Sequence, residues 1–134
     1  MERFVVIDTN VLVSALLRWD SIPGIVLEKV FTKKIIPVFS EEIMAEYEEV
    51  LRRKKFPFLE EDIQTLIKEL KKCGIFLSPA LVEEVLPDKK DIVFYALLLE
   101  ARKVKETYLV TGNIKHFPKL PYIVMPREFL ASID

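Results

Sequence analysis

Four apolar residues, Phe4-Val5-Val6-Ile7, run without a break into Asp8-Thr9-Asn10. A continuous apolar run suits a strand covered on both faces, whereas a strand with one wet face alternates. Val11, Leu12, Val13, Ala15, Leu16 and Leu17 then predict a buried helix, so Asp8 falls on the turn between strand and helix. Ligands of open α/β sheets bind outside the carboxyl ends of the strands, which makes Asp8 a candidate site residue. The plain structural account is a helix N-cap, with Asp8 or Thr9 accepting from a free backbone N–H.

The same alternation continues along the chain. Pro23 opens a helix through about Thr32, Ile35 to Phe39 reads as a strand, and Ser40 caps a helix over Glu41 to about Lys54. A helix from Glu60 to Cys73 stops at Gly74, and Ile75 to Leu77 is a strand. Pro87-Asp88 starts a helix through about Arg102; Thr107 to Val110 and Ile123 to Met125 are strands, and Arg127 to Ile133 closes the chain as a helix after Pro126. Short apolar strands separated by helices predict an α/β fold, with a mainly parallel sheet of four or five strands flanked by helices on both faces. No repeat or linker divides residues 1–134, so one domain is expected.

Composition narrows the chemistry. Twenty basic and 21 acidic residues leave a net charge of -1, so a polyanion must be held by a local basic patch rather than by overall attraction. Cys73 and His116 are each alone, which excludes an internal disulfide and argues against the usual zinc sites and Ser-His-Asp chemistry. Reactive groups are therefore expected to be oxygen ligands. The opening apolar run is too short for a leader, and Ile92 to Leu99 is far shorter than the roughly 20 residues of a membrane helix. A soluble, cytoplasmic protein is expected, without a membrane partner.

Three further segments carry candidate oxygens. In the helix from Glu41, the stripe Ile43, Met44, Tyr47, Val50, Leu51 leaves Glu46 and Glu48 nearest its two edges, with Glu41, Glu42 and Glu49 further towards solvent. In the helix after Pro87, apolar all round from Ile92 to Leu99, Asp91 shares a face with Tyr95 and Leu98, and Asp88 is the natural N-cap. Tyr108-Leu109-Val110-Thr111-Gly112-Asn113 repeats the opening logic, an apolar strand ending in a polar turn. If that strand lies parallel and next to the first, Asn113 and Asp8 emerge at one sheet edge. Acids crowded there repel, and a hard divalent cation, Mg²⁺ or Mn²⁺, relieves the repulsion. Such a site suits phosphodiester hydrolysis.

Together, Val6-Ile7-Asp8-Thr9-Asn10, Ser40 to Tyr47, Pro87-Asp88-Lys89-Lys90-Asp91 and Leu109 to Asn113 make the chain resemble a PIN-domain ribonuclease. It is similar to the toxin components of toxin–antitoxin modules of VapC type, in a branch ending Thr-Gly-Asn-x-x-His-Phe, here Thr111 to Phe117. The resemblance implies a metal-dependent endonuclease of single-stranded RNA. By it, Asp8, Glu46 and Asp91 match acidic metal-binding positions, and Glu46 is selected over Glu48. Asn113 stands where many relatives carry aspartate, so one Mg²⁺ or Mn²⁺ is expected to be held firmly and a second weakly until RNA phosphate completes the site. Thr9, Asn10, Asp88 and Thr111 are expected to support these ligands. The resemblance also implies a cognate antitoxin, and homodimers are common among relatives.

Grip on RNA would come from Arg52, Arg53, Lys54 and Lys55, with Lys89 and Lys90 next to Asp91. Tyr47, Tyr95 and Trp19 are candidate base-stacking surfaces, against core packing for the tyrosines and a partner contact for Trp19. Two other readings compete: a catalytically idle PIN scaffold that binds RNA or protein, and a phosphatase on a related fold. The latter lacks a Gly-rich phosphate loop, and Asp8 has no Asp-x-Asp partner.

Overall fold

The computed structural model describes residues 3–32 and 35–133, so Met1 and Glu2 at the head of the opening run lie outside it. Five strands form one parallel sheet in the order β3-β2-β1-β4-β5: β1 (Arg3–Ile7), β2 (Ile35–Phe39), β3 (Ile75–Phe76), β4 (Thr107–Val110) and β5 (Ile123–Val124). Among the described residues five α-helices connect them, α1 (Thr9–Leu17), α2 (Ile22–Phe31), α3 (Glu41–Leu51), α4 (Glu60–Cys73) and α5 (Ile92–Arg102), and α6 (Pro126–Ile133) follows the last strand. The fold is α/β, as expected.

Successive side chains of a strand point to opposite faces, and Phe4, Val5, Val6 and Ile7 are all buried. Both faces of the sheet centre are therefore covered. The right-handed rule for parallel crossovers puts the connections from β1 through β2 to β3 on one face and the return from β3 to β4 on the other. Helix packing agrees: α2 lies against α4 and α6, while α5 lies against β1, β2 and β4. Because β1 leads to β2 on one side and β4 leads to β5 on the other, the order reverses between β1 and β4. A crevice opens at the carboxyl ends of such a pair.

Local chemistry sets the element ends. Ser40 Oγ accepts from Ile43 N–H, so the expected cap of α3 is present. That helix stops at Leu51, not near Lys54: Leu51 is its last buried side chain, and Arg52 to Lys55 bring no apolar side chain to bury. After Pro87 the chain first makes a 3-10 turn, Lys89–Asp91, because Asp88 Oδ1 accepts from Lys90 N–H and Asp88 O from Asp91 N–H. Only then does α5 begin. Its Phe94 to Leu98 are all buried, as the all-round apolar pattern requires. The edge strand β3 is two residues long, with Phe76 resting against Phe39 at 5.3 Å between ring centroids. Short edge strands limit pairing with other chains.

Gly24, in the first turn of α2, allows the turn from Trp19 to pass close to the helix. A Cβ there would stand 1.9 Å from the Trp19 carbonyl oxygen and 2.7 Å from its carbon, both backbone atoms. Gly24→Ala is expected to destabilise by about 1–3 kcal/mol or more. Urea unfolding should show a lower midpoint at unchanged slope.

Candidate metal centre at the ends of β1 and β4

The register Ile7↔Val110 makes Asp8 and Thr111 neighbours, one residue beyond each strand. Asp8 N–H donates to Val110 O at 2.9 Å, which fixes the backbone there. Asp8 occupies the N-cap position of α1, yet its side chain makes no capping bond and its main partners are side chains. Instead Oδ2 accepts from Thr111 Oγ1 at 2.7 Å and from Asn10 Nδ2 at 3.2 Å. Asn10 Oδ1 in turn accepts from Gly112 N–H at 3.1 Å, tying the two turns together. Oδ2 is thus held by two side chains, and the Thr9 backbone adds a further bond to the carboxylate.

Glu46 arrives from α3. Thr9 Oγ1 donates to its Oε2, and the adjacent Tyr47, fully buried, donates its hydroxyl to Ile7 O. One helix turn thus grips both the end of β1 and the start of α1. Glu48, at the other edge of α3, faces Arg52 and Lys71 instead. Asp91 closes the 3-10 turn before α5, and its Oδ2 lies 3.0 Å from His116 Nδ1. His116 ends a second 3-10 turn, Ile114–His116, in which its N–H donates to Asn113 O.

The electrostatics match this crowding. Asp8 is 5% exposed, and burial raises its pKa from 3.8 to about 6. The charges of Asp91 and Glu46 push the same way, against the bonds from Thr111 and the Thr9 backbone. Burial also raises Asp91, with Asp88 adding to the rise and the His116 bond opposing it. Burial, then the charges of Asp8 and Glu46, raises the Tyr47 hydroxyl and keeps it a donor.

Asp8 feels the charges of both Asp91 and Glu46, but the ligand atoms that lie close together belong to a different set. One ligand atom each from Asp88, Asp91 and His116 lie within 4.8 Å of one another. His116 is the residue that sequence reasoning set aside as solitary, although it stands inside the Thr111 to Phe117 motif. Asn113 is exposed; its N–H donates to Thr111 Oγ1 and its side chain makes no capping bond. The carboxylates and the imidazole form a donor set suited to a divalent ion.

The cations divide. Arg52 is forked onto Glu60 at 2.8 Å through both Nε and Nη2, and Arg53 onto Glu49 at 2.7 and 2.9 Å. Lys54, Lys55, Lys89 and Lys90 are exposed. Arg53 feels the charge of Glu46, and Lys90 holds Glu49 down after the Arg53 bond, so these two flank the acids. Stacking by Tyr47 or Tyr95 is ruled out by their burial; Tyr95 donates to Glu84 at 3.2 Å. Trp19 stays 40% exposed, stacked on Phe31.

The acids lie at the switch point of a parallel α/β sheet, and the sequence matches the PIN domain family over residues 4–115. The chain belongs to that family, whose members are generally nucleases that use divalent metals. It is also similar to an uncharacterized protein of Methanocaldococcus jannaschii, 30% identical over 146 aligned positions that cover 97% of this chain and 91% of the relative. Among the described residues no single helix is long and apolar enough to cross a membrane.

The Asp8 shift makes stability depend on pH. Its folded pKa lies above the unfolded value, so the folded state binds the proton more tightly, and stability falls as pH rises from about 4 to about 6. The shift from 3.8 to about 6 corresponds to about 3 kcal/mol. Without metal, Asp8→Asn is therefore expected to be more stable than the parent at pH 7.5, by up to about 3 kcal/mol, with the difference vanishing below about pH 4. Urea titrations in EDTA across that range measure it.

Proposed function

We propose that the protein is a metal-dependent endoribonuclease that cleaves phosphodiester bonds of single-stranded RNA, with Mg²⁺ or Mn²⁺ held by Asp8, Glu46 and Asp91. The observation that carries this reading is Asp8: a buried carboxylate, raised by burial and by two neighbouring acids, and fixed in place by donors from Thr111 and Asn10. A divalent cation held by these acids would offset the repulsion among them. When bound, such an ion supplies an acidified water and offsets charge on the phosphoryl and leaving oxygens.

The chain's own residues do the positioning. Thr111 and Asn10 hold Asp8, Thr9 orients Glu46, and Asp88 shapes the turn that presents Asp91. Asn113, from the same turn as Thr111, is a neutral oxygen ligand for a weakly held second ion. Arg53, Lys54, Lys55, Lys89 and Lys90 grip RNA phosphate around the acids, and Arg52, forked onto Glu60, joins α3 to α4. In the finer reading the protein is the toxin component of a toxin–antitoxin pair acting in the cytoplasm. The exposed Leu17 and Trp19 support a protein contact there, with an antitoxin or a second copy.

Cleavage of single-stranded RNA is expected with Mn²⁺ or Mg²⁺ and to vanish in EDTA. Asp8→Asn and Asp91→Asn should each lower kcat by about a hundredfold or more. Retained RNA binding without cleavage across a broad substrate panel would instead identify an RNA-binding PIN scaffold. For the basic rim, replacing Lys89 and Lys90 by alanine should weaken binding and flatten the plot of log affinity against log salt by about 0.7 for each RNA phosphate no longer neutralised. An unchanged slope removes them from the footprint.

A further inference from the structure

We infer that His116 is a nitrogen ligand of this centre, forming with Asp91 and Asp88 a mixed nitrogen and oxygen subsite that favours a divalent transition metal such as Mn²⁺ over Mg²⁺. The inference rests on the metal-dependent reading above and adds to it the donor that decides which ion is retained.

The geometry is specific. His116 Nδ1 stands 3.0 Å from Asp91 Oδ2. Cis ligands of an octahedral ion, at bond lengths of about 2.1 Å, lie about 3.0 Å apart. The pair is thus spaced for one ion as well as for one proton. With the ring proton on Nε2, the Nδ1 lone pair is free to bind. Asp88 completes the group: its Oδ1 caps Lys90 N–H, and one ligand atom from each of the three residues is already within 4.8 Å of the others. Asp88 is exposed and the His116 side chain is 42% exposed, so both can adjust without disturbing the core. The next residue, Phe117, is buried and anchors the turn that carries the imidazole.

Chemistry assigns the ion. Mg²⁺ demands oxygen ligands and keeps its waters, whereas imidazole suits the first-row transition metals. Asn113 brings no charge to the turn that also carries His116, so an imidazole three residues later strengthens the donor set without restoring the repulsion a fourth carboxylate would add. Asp91 links this subsite to Asp8, whose charge it opposes.

Because His116 is the chain's only histidine, any imidazole nitrogen detected on a bound ion in untagged protein belongs to it. Electron spin-echo modulation of Mn²⁺ added below one equivalent is expected to show directly bound ¹⁴N, replaced by the ¹⁵N pattern after ¹⁵N-histidine labelling. In His116→Gln the nitrogen signal should disappear, and the Mn²⁺-to-Mg²⁺ affinity ratio should fall about tenfold or more by calorimetry. Bound Mn²⁺ without nitrogen coupling overturns this inference, reduces His116 to a donor that orients Asp91, and leaves the metal-dependent nuclease reading standing. Absence of any Mn²⁺ or Mg²⁺ binding overturns both. The parent spectrum alone decides, so the result does not depend on the folding of the variant.

Discussion

Thr111 and Asn10 hold one oxygen of the buried Asp8 carboxylate, and the rest of the site is arranged around that arrest. It depends on β1 and β4 lying parallel and adjacent with Ile7 opposite Val110, because only that register places a hydroxyl from one strand end beside a carboxylate from the other. A slip of one residue would turn Asp8 to the opposite face and leave Thr111 without its acceptor. The hydrophobic sheet centre thus sets the chemistry: Phe4 to Ile7 must be buried on both faces, and the acid follows directly after them.

The same burial creates an electrostatic problem that the protein alone does not solve. Asp8 is desolvated, Asp91 and Glu46 add like charge, and the donors from Thr111 and Thr9 offset only part of the cost. Sites that tolerate such cost are commonly functional, because perturbed carboxylates gather where a charge must later be met. In the proposed function a divalent ion, and then the phosphate of a substrate, would supply the missing charges in turn. Thr9, Asn10 and Tyr47 engage backbone or side chains around the acids and so fix their geometry independently of any ion.

Much of this was legible before folding. The apolar run before Asp8, the Ser40 cap, the stripe along α3 and the all-round apolar α5 specified element types, and with them the α/β class, since each buries its apolar residues in only one way. Asp8 and Asp91 stood out for their positions relative to those elements, whereas Glu46 shared the edges of its stripe with Glu48 and was selected by the family resemblance. Other features stayed hidden. The early end of α3 at Leu51 and the 3-10 turn before α5 depend on where the core stops and on one side-chain cap, neither of which shows in periodicity. Arg52 and Arg53 read as free cations, yet Glu60 and Glu49 engage both.

His116 shows the division most clearly. The chain itself determined that apolar strands would end in polar turns bearing oxygen side chains, because that outcome follows from local patterning and burial. It did not determine which side chains meet there. His116 and Asp91 are separated by 25 residues and carried on two short 3-10 turns, and their 3.0 Å approach follows from β4 inserting beside β1 and α5 crossing over both. Approaches of that range are decided by how strands order and pack, which a linear pattern of polar and apolar residues does not encode residue by residue.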